Sequence, residues 1–155
     1  MSDTGLQPES QIIEAHTLVE TIRIAYHFPG HEPRENDPHY HLFNAARNRL
    51  ERLGALKCWI NNAHCEGQIE LHHQLEFAMA NVVDVGIFAQ CCPDLHVASD
   101  EDFLNYIEGE MNLTPLCVHH HRGIGGIHYL PYPVWLPQRY LKVGVAAPAE
   151  KVSKE

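Results

Sequence analysis

Two short histidine-bearing stretches dominate this chain: Ile69-Glu70-Leu71-His72-His73 and Asn112-Leu113-Thr114-Pro115-Leu116-Cys117-Val118-His119-His120-His121-Arg122. Thirty-eight residues separate His73 from Asn112. Residues 68–74 alternate well enough to be a strand. Asn112 to Cys117 reads as a second strand or its approach, and His119 to Arg122 begins a helix. Gly123, Gly125 and Gly126 cut that helix short.

Five cysteines is an odd number, and a reducing compartment argues against a disulfide framework. Metal ligation is the better use for some of them. Cys58, Cys65, Cys117 and His120 form a candidate structural zinc site, since such sites favour tetrahedral thiolate and imidazole ligation. Cys117-x-x-His120 has the spacing of a zinc knuckle. The six residues between Cys58 and Cys65 exceed the usual gap, and His64 is an alternative to Cys65. The plain alternative is a set of small buried cysteines. Cys91 and Cys92 are adjacent and suit core packing.

The flanks read as helices and loops. Residues 1–8 are frayed, and Glu9 to His27 places Ile12, Val19, Ile22 and Tyr26 at helical spacing. A loop follows over 29–38. Asp37 before Pro38 fits a helix start, and that helix runs through Phe43, Ala46, Leu50 and Leu53 to a stop at Gly54. Residues 75–89 predict a helix broken near Gly86. Ser99 with Asp102 predicts a capped helix over 100–109. Trp135 and the surrounding prolines read as a packing flap, and 146–155 as a disordered tail. The expectation is one α+β domain over 1–155, with N-terminal helices over 9–54 and a functional core over 58–128.

The net charge is −9, whereas proteins that grip phosphate backbones usually present basic faces. The charge is unevenly spread. Between Lys57 and Arg122 there are ten acids and no Lys or Arg, while 111–149 holds no acid. Arg47, Arg49 and Arg52 with Arg122, Arg139 and Lys142 can form a basic face, and the acids a solubilising one. No apolar run is long enough for a membrane span. The first residues lack a secretory signal pattern, so a cytoplasmic location is expected, or a host cytoplasm for a phage-encoded chain.

The paired His72-His73, the later Asn112 and the run Asn-Leu-x-x-Leu-Cys-x-x-His-His-Arg-Gly-x-Gly-Gly-x-His resemble the HNH endonuclease family. They are similar in particular to phage and actinobacterial HNH-like proteins. The resemblance covers about 58–128 and implies a ββα-metal fold, here with a zinc-stabilised hairpin and a helical insertion between the strands. It implies a metal-dependent endonuclease that hydrolyses DNA. His72, His121 and His128 would hold a catalytic divalent ion (Mg, Mn, Ni or Zn), and His73 would be the general base. A bulge or twist at the strand end would bring both paired histidines to the site. Asn112 would brace the loop, or be an ordinary turn asparagine. Arg122 would contact the scissile phosphate or cap the helix. The family commonly has a histidine four residues after the first metal histidine of its helix; here Gly125 stands there, and His128 would return through the glycines. A second reading is a non-enzymatic zinc-binding interaction module of phage type. It would dock a packaging or host protein through the acidic 66–110 segment.

Overall fold

The computed structural model describes residues 38–149. The expected helix over 9–27 and the Asp37 cap lie outside them. Helix α1 spans Tyr40–Arg52. It starts after His39, whose side chain makes no capping hydrogen bond. It stops where expected: Gly54 takes φ +66°, a left-handed conformation that costs a residue without Cβ little.

Strands β1 (Ile69–His73) and β2 (Leu113–Cys117) form a two-stranded antiparallel sheet. The register runs unbroken from Ile69 opposite Cys117 to His73 opposite Leu113. Pro115 fits because neither strand of a two-stranded sheet is internal. Successive side chains alternate faces. Leu71, with Leu113, packs on Ala46, Phe43 and Leu50 of α1, while Glu70 and His72 turn the other way.

The long insertion between the strands is helical, as expected, but in separate pieces. A 3-10 turn covers Phe77–Val82, α2 covers Val85–Cys91 and α3 covers Asp100–Ile107. The helix expected over 75–89 breaks at Val83, which is extended (ψ 128°). Asp84 then caps α2 by accepting from the Ile87 N–H, so Gly86 lies inside a helix. Ser99 caps α3 through the Asp102 N–H. Val97, Phe103 and Ile107 give the insertion its own apolar cluster. Cys91 is exposed and Cys92 only partly buried, so the expected core packing of both is not found.

After β2 the chain enters α4 (Val118–His121), then α5 (Tyr132–Trp135) and a 3-10 turn over Leu136–Tyr140. Trp135 is buried against Cys58, Ile60, Leu116 and Cys117 and donates its indole N–H to the His120 carbonyl at 2.8 Å. The flap thus clamps α4 onto the hairpin. No helix among the described residues is long and apolar enough to cross a membrane.

Candidate metal centre

Helix α4 carries two ligand groups on different faces. Cys117 ends β2 and His120 lies one turn on, while Cys58 and Cys65 arrive from the loop before β1. His120 Nδ1 stands 3.6 Å from Cys58 Sγ, 3.6 Å from Cys65 Sγ and 3.2 Å from Cys117 Sγ. One tetrahedral zinc with Zn–S of about 2.3 Å and Zn–N of about 2.0–2.1 Å would separate sulfur from nitrogen by roughly 3.5 Å. All four ligand atoms lie within 4.8 Å of one another, so the group can hold a metal ion such as zinc. His64 is not part of it; its Nε2 donates to the Val145 carbonyl at 2.9 Å.

The thiols show why an ion suits this place. Burial opposes a Cys58 thiolate, yet hydrogen bonds from His120 and from the backbone of Cys117, Asn61 and Ile60 bring its pKa down to about 6. Cys65 is pushed up to about 12, first by burial and also by the neighbouring Cys58 and Cys117 sulfurs. Protein groups alone favour one thiolate and oppose a second. A divalent cation held there would supply the charge that stabilises thiolates side by side.

His121 follows His120 by one residue, so on a helix it points about 100° away. Its Nδ1 donates to Glu70 Oε1 at 3.1 Å, and its Nε2 faces His128 Nε2 at 3.1 Å. The His72 ring stands edge-on to both, with centroids 5.3 and 5.0 Å away. His72, His121 and His128 form a second group able to hold a metal ion. His72 Nδ1 is buried without a hydrogen-bond partner. Burial first, then the positive charges of His128, His121 and His73, hold His72 down at about 3. It therefore presents a neutral imidazole, the form that ligates metals.

His128 reaches this group through a tight return. Gly126 N–H donates to the Gly123 carbonyl, Ile127 N–H to His120 and His128 N–H to His121, at 2.8, 3.0 and 3.1 Å. A Cβ on Gly126 would collide with the His121 carbonyl and lie 2.7 Å from the Gly123 oxygen. The backbone approach requires glycine there.

Glu70 braces the group from behind. Arg122 Nε donates to both its oxygens at 2.9 and 3.1 Å. Burial would raise the Glu70 carboxyl, but the bonds from Arg122 and His121 hold it below the usual range. Arg122 is thus tied to the carboxylate that orients His121. The sequence contained the signal for this: Glu70 lies two residues before His72, hence on the same face of β1.

His73 takes the opposite face. There is no bulge, so the expectation that both paired histidines reach one site is not met. His73 is 6 % exposed, stacks on Phe43 at 5.6 Å and lies beside Phe77. Its Nε2 meets Glu108 Oε1 at 3.1 Å. Asn112 is fully buried. Its side chain accepts from the Leu75 N–H at 2.8 Å and donates to the Leu75 and Ile107 carbonyls at 3.0 and 2.8 Å. It staples the end of β1 to the end of α3.

The arginines expected to form a basic face are partly engaged internally. Arg47 donates to the Ile69 carbonyl, Arg49 pairs with Glu110 and Arg139 covers the Trp59 ring at 4.0 Å.

Compared with family models, curated proteins and solved structures, the chain matches none of them.

Proposed function

We propose that this protein is a metal-dependent endonuclease of the HNH type that hydrolyses DNA phosphodiester bonds, with zinc at Cys58, Cys65, Cys117 and His120 holding the fold. The observation that carries the reading is the division of labour on α4, where neighbouring His120 and His121 serve different ligand groups. Three sulfurs and a fully buried imidazole make a closed set, the chemistry of structural zinc. Three imidazoles, one of them the exposed His128, leave room for a substrate oxygen, as catalytic sites do.

His72, His121 and His128 would hold the catalytic divalent ion (Mg, Mn, Ni or Zn). Such an ion supplies charge stabilisation for the phosphate and the leaving oxygen. Glu70 fixes the His121 tautomer by accepting from Nδ1, leaving Nε2 for the ion. Arg122, anchored on Glu70 and exposed, would meet a phosphate with its free guanidinium nitrogens.

The test is cleavage of supercoiled DNA with Mg²⁺, Mn²⁺, Ni²⁺ or Zn²⁺, comparing wild type with His121→Ala and His128→Ala. Metal-dependent nicking lost in both variants is expected; cleavage that persists in either removes the three-histidine group from the reaction. The second reading, a zinc-held interaction module, is favoured by the exposed acids Asp100 and Glu101 at the start of α3. It predicts no cleavage with any of these metals.

A further inference from the structure

A hydrolytic site needs a proton acceptor that both water and substrate can reach. His73 is poorly placed for that, since its ring lies between Phe43 and Phe77 on the far face of β1 with Nε2 on Glu108. Another carboxylate stands at the three-histidine group. Glu76 Oε1 lies 3.6 Å from His128 Nε2, the nitrogen that faces His121, and the two side chains are 24 % and 41 % exposed. Glu76 does not join the mutually close ligand atoms of His72, His121 and His128; it flanks them at His128. Glu70, the other carboxylate there, is occupied by Arg122 and His121.

Asn112 adds an independent argument. Its amide bonds both the N–H and the C=O of Leu75, and its carbonyl accepts from the Gln74 N–H at 2.8 Å. Leu75 immediately precedes Glu76. The segment braced by this asparagine therefore delivers Glu76 to the site, whereas His73 is held by strand pairing with Leu113.

We infer that, given the hydrolytic reading of the site, Glu76 is the catalytic residue that accepts the proton of the attacking water. The water proton passes to a Glu76 carboxylate oxygen, and the water oxygen bonds to phosphorus. The bond from phosphorus to the leaving oxygen breaks, and that oxygen takes a proton from solvent. No redox partner is needed.

The experiment compares wild type, Glu76→Gln and His73→Gln on supercoiled DNA and on bis(p-nitrophenyl) phosphate. Metal affinity at the three-histidine group is measured in parallel, without substrate, by competition with a chromophoric chelator. Glu76→Gln is close in shape to glutamate at a partly exposed position, so melting should change little. Its rate should fall about 10²–10⁴-fold, the usual cost of losing a general base, with metal affinity held within about threefold. His73→Gln, where folded, should retain far more activity. A Glu76→Gln protein that cleaves normally overturns the assignment while leaving the nuclease reading intact. A rate loss matched by an equal loss of metal affinity also overturns it, because Glu76 would then be a ligand. A wild type that cleaves neither substrate with any of the metals overturns the nuclease reading, and this inference with it.

Discussion

His121 and His128 point their Nε2 atoms at each other from 3.1 Å. Without an ion, that contact requires one ring to donate and the other to accept, so the pair carries an N–H···N hydrogen bond. An ion between them replaces the proton, since two nitrogens on one tetrahedral metal at about 2.0–2.1 Å sit roughly 3.3 Å apart. His128→Ala should therefore weaken binding at the three-histidine group at least tenfold. The Cys58, Cys65, Cys117 and His120 group should keep its ion. Chelator competition checks this, with stoichiometry falling from two ions per chain toward one; an unchanged stoichiometry and affinity would remove His128 from the ligand set.

The sulfur-rich group should govern folding. Apparent binding free energies of structural zinc are about 10–16 kcal/mol, comparable to or larger than the roughly 5–15 kcal/mol stability of a typical domain. Prolonged chelation or Cys117→Ser should collapse the hairpin, because Cys117 is at once a β2 residue and a member of the group that can hold the ion. Elemental analysis should find zinc in the purified wild type. Circular dichroism should show loss of cooperative melting when it is withdrawn. Cooperative melting unaffected by both treatments would rule out a structural ion.

The return at the glycines offers a sharper geometric test. Gly126 has no room for a Cβ between the His121 and Gly123 carbonyls. Gly126→Ala must shift backbone, at a cost of about 1–3 kcal/mol, and the shift moves His128 away from His121. Weaker metal binding with the zinc content intact is the expected result. Unaltered binding by this variant would mean that the loop adapts without moving His128.

Much of this arrangement was legible because it follows from local rules. The period of a strand separates His72 from His73 and joins Glu70 to His72, and the angular step of a helix separates His120 from His121. The same alternation puts His72 and His73 on opposite faces unless a bulge intervenes, and the register holds none. Glu76 and Glu108 were not legible. Their roles depend on where the insertion folds back, and nothing in Leu75-Glu76-Phe77 marks an acid as facing a histidine fifty-two residues later. The break at Val83 is not legible for a similar reason: the apolar spacing suits one helix, and Asp84 wins locally by capping a new one.

His72 should stay neutral in mildly acidic solution. Its folded pKa, lowered to about 3 by burial and then by the nearby His128, His121 and His73 charges, lies below the ordinary value of about 6.5. Between those values the unfolded chain binds a proton that the folded chain refuses. Stability from this group is thus complete above about pH 6.5 and declines as pH falls from there toward 3. With the three-histidine group metal-free, proton NMR should show a His72 ring that does not titrate between pH 7.5 and 5.5. The urea midpoint should drop over that range, and drop less in His72→Gln. A His72 ring titrating near 6.5 would contradict the burial argument.

The final prediction concerns His73 and distinguishes a structural from a catalytic role. The ring fills space between Phe43 and Phe77 and engages Glu108, which is only 3 % exposed. His73→Ala opens a cavity on the α1 face of β1 and takes a donor from a buried carboxylate. Truncating a ring of this size in a core, with that lost bond, costs about 2–4 kcal/mol. His73→Ala should therefore melt well below wild type, and Glu108→Gln should recover part of that loss in the double variant by removing the carboxylate's charge. A general base at the surface would behave differently, since its removal would leave the melting temperature unchanged. Thermal denaturation of the two single variants and the double variant decides the matter. A His73→Ala protein as stable as wild type would show that the pocket does not depend on this ring and would reopen its assignment as the proton acceptor.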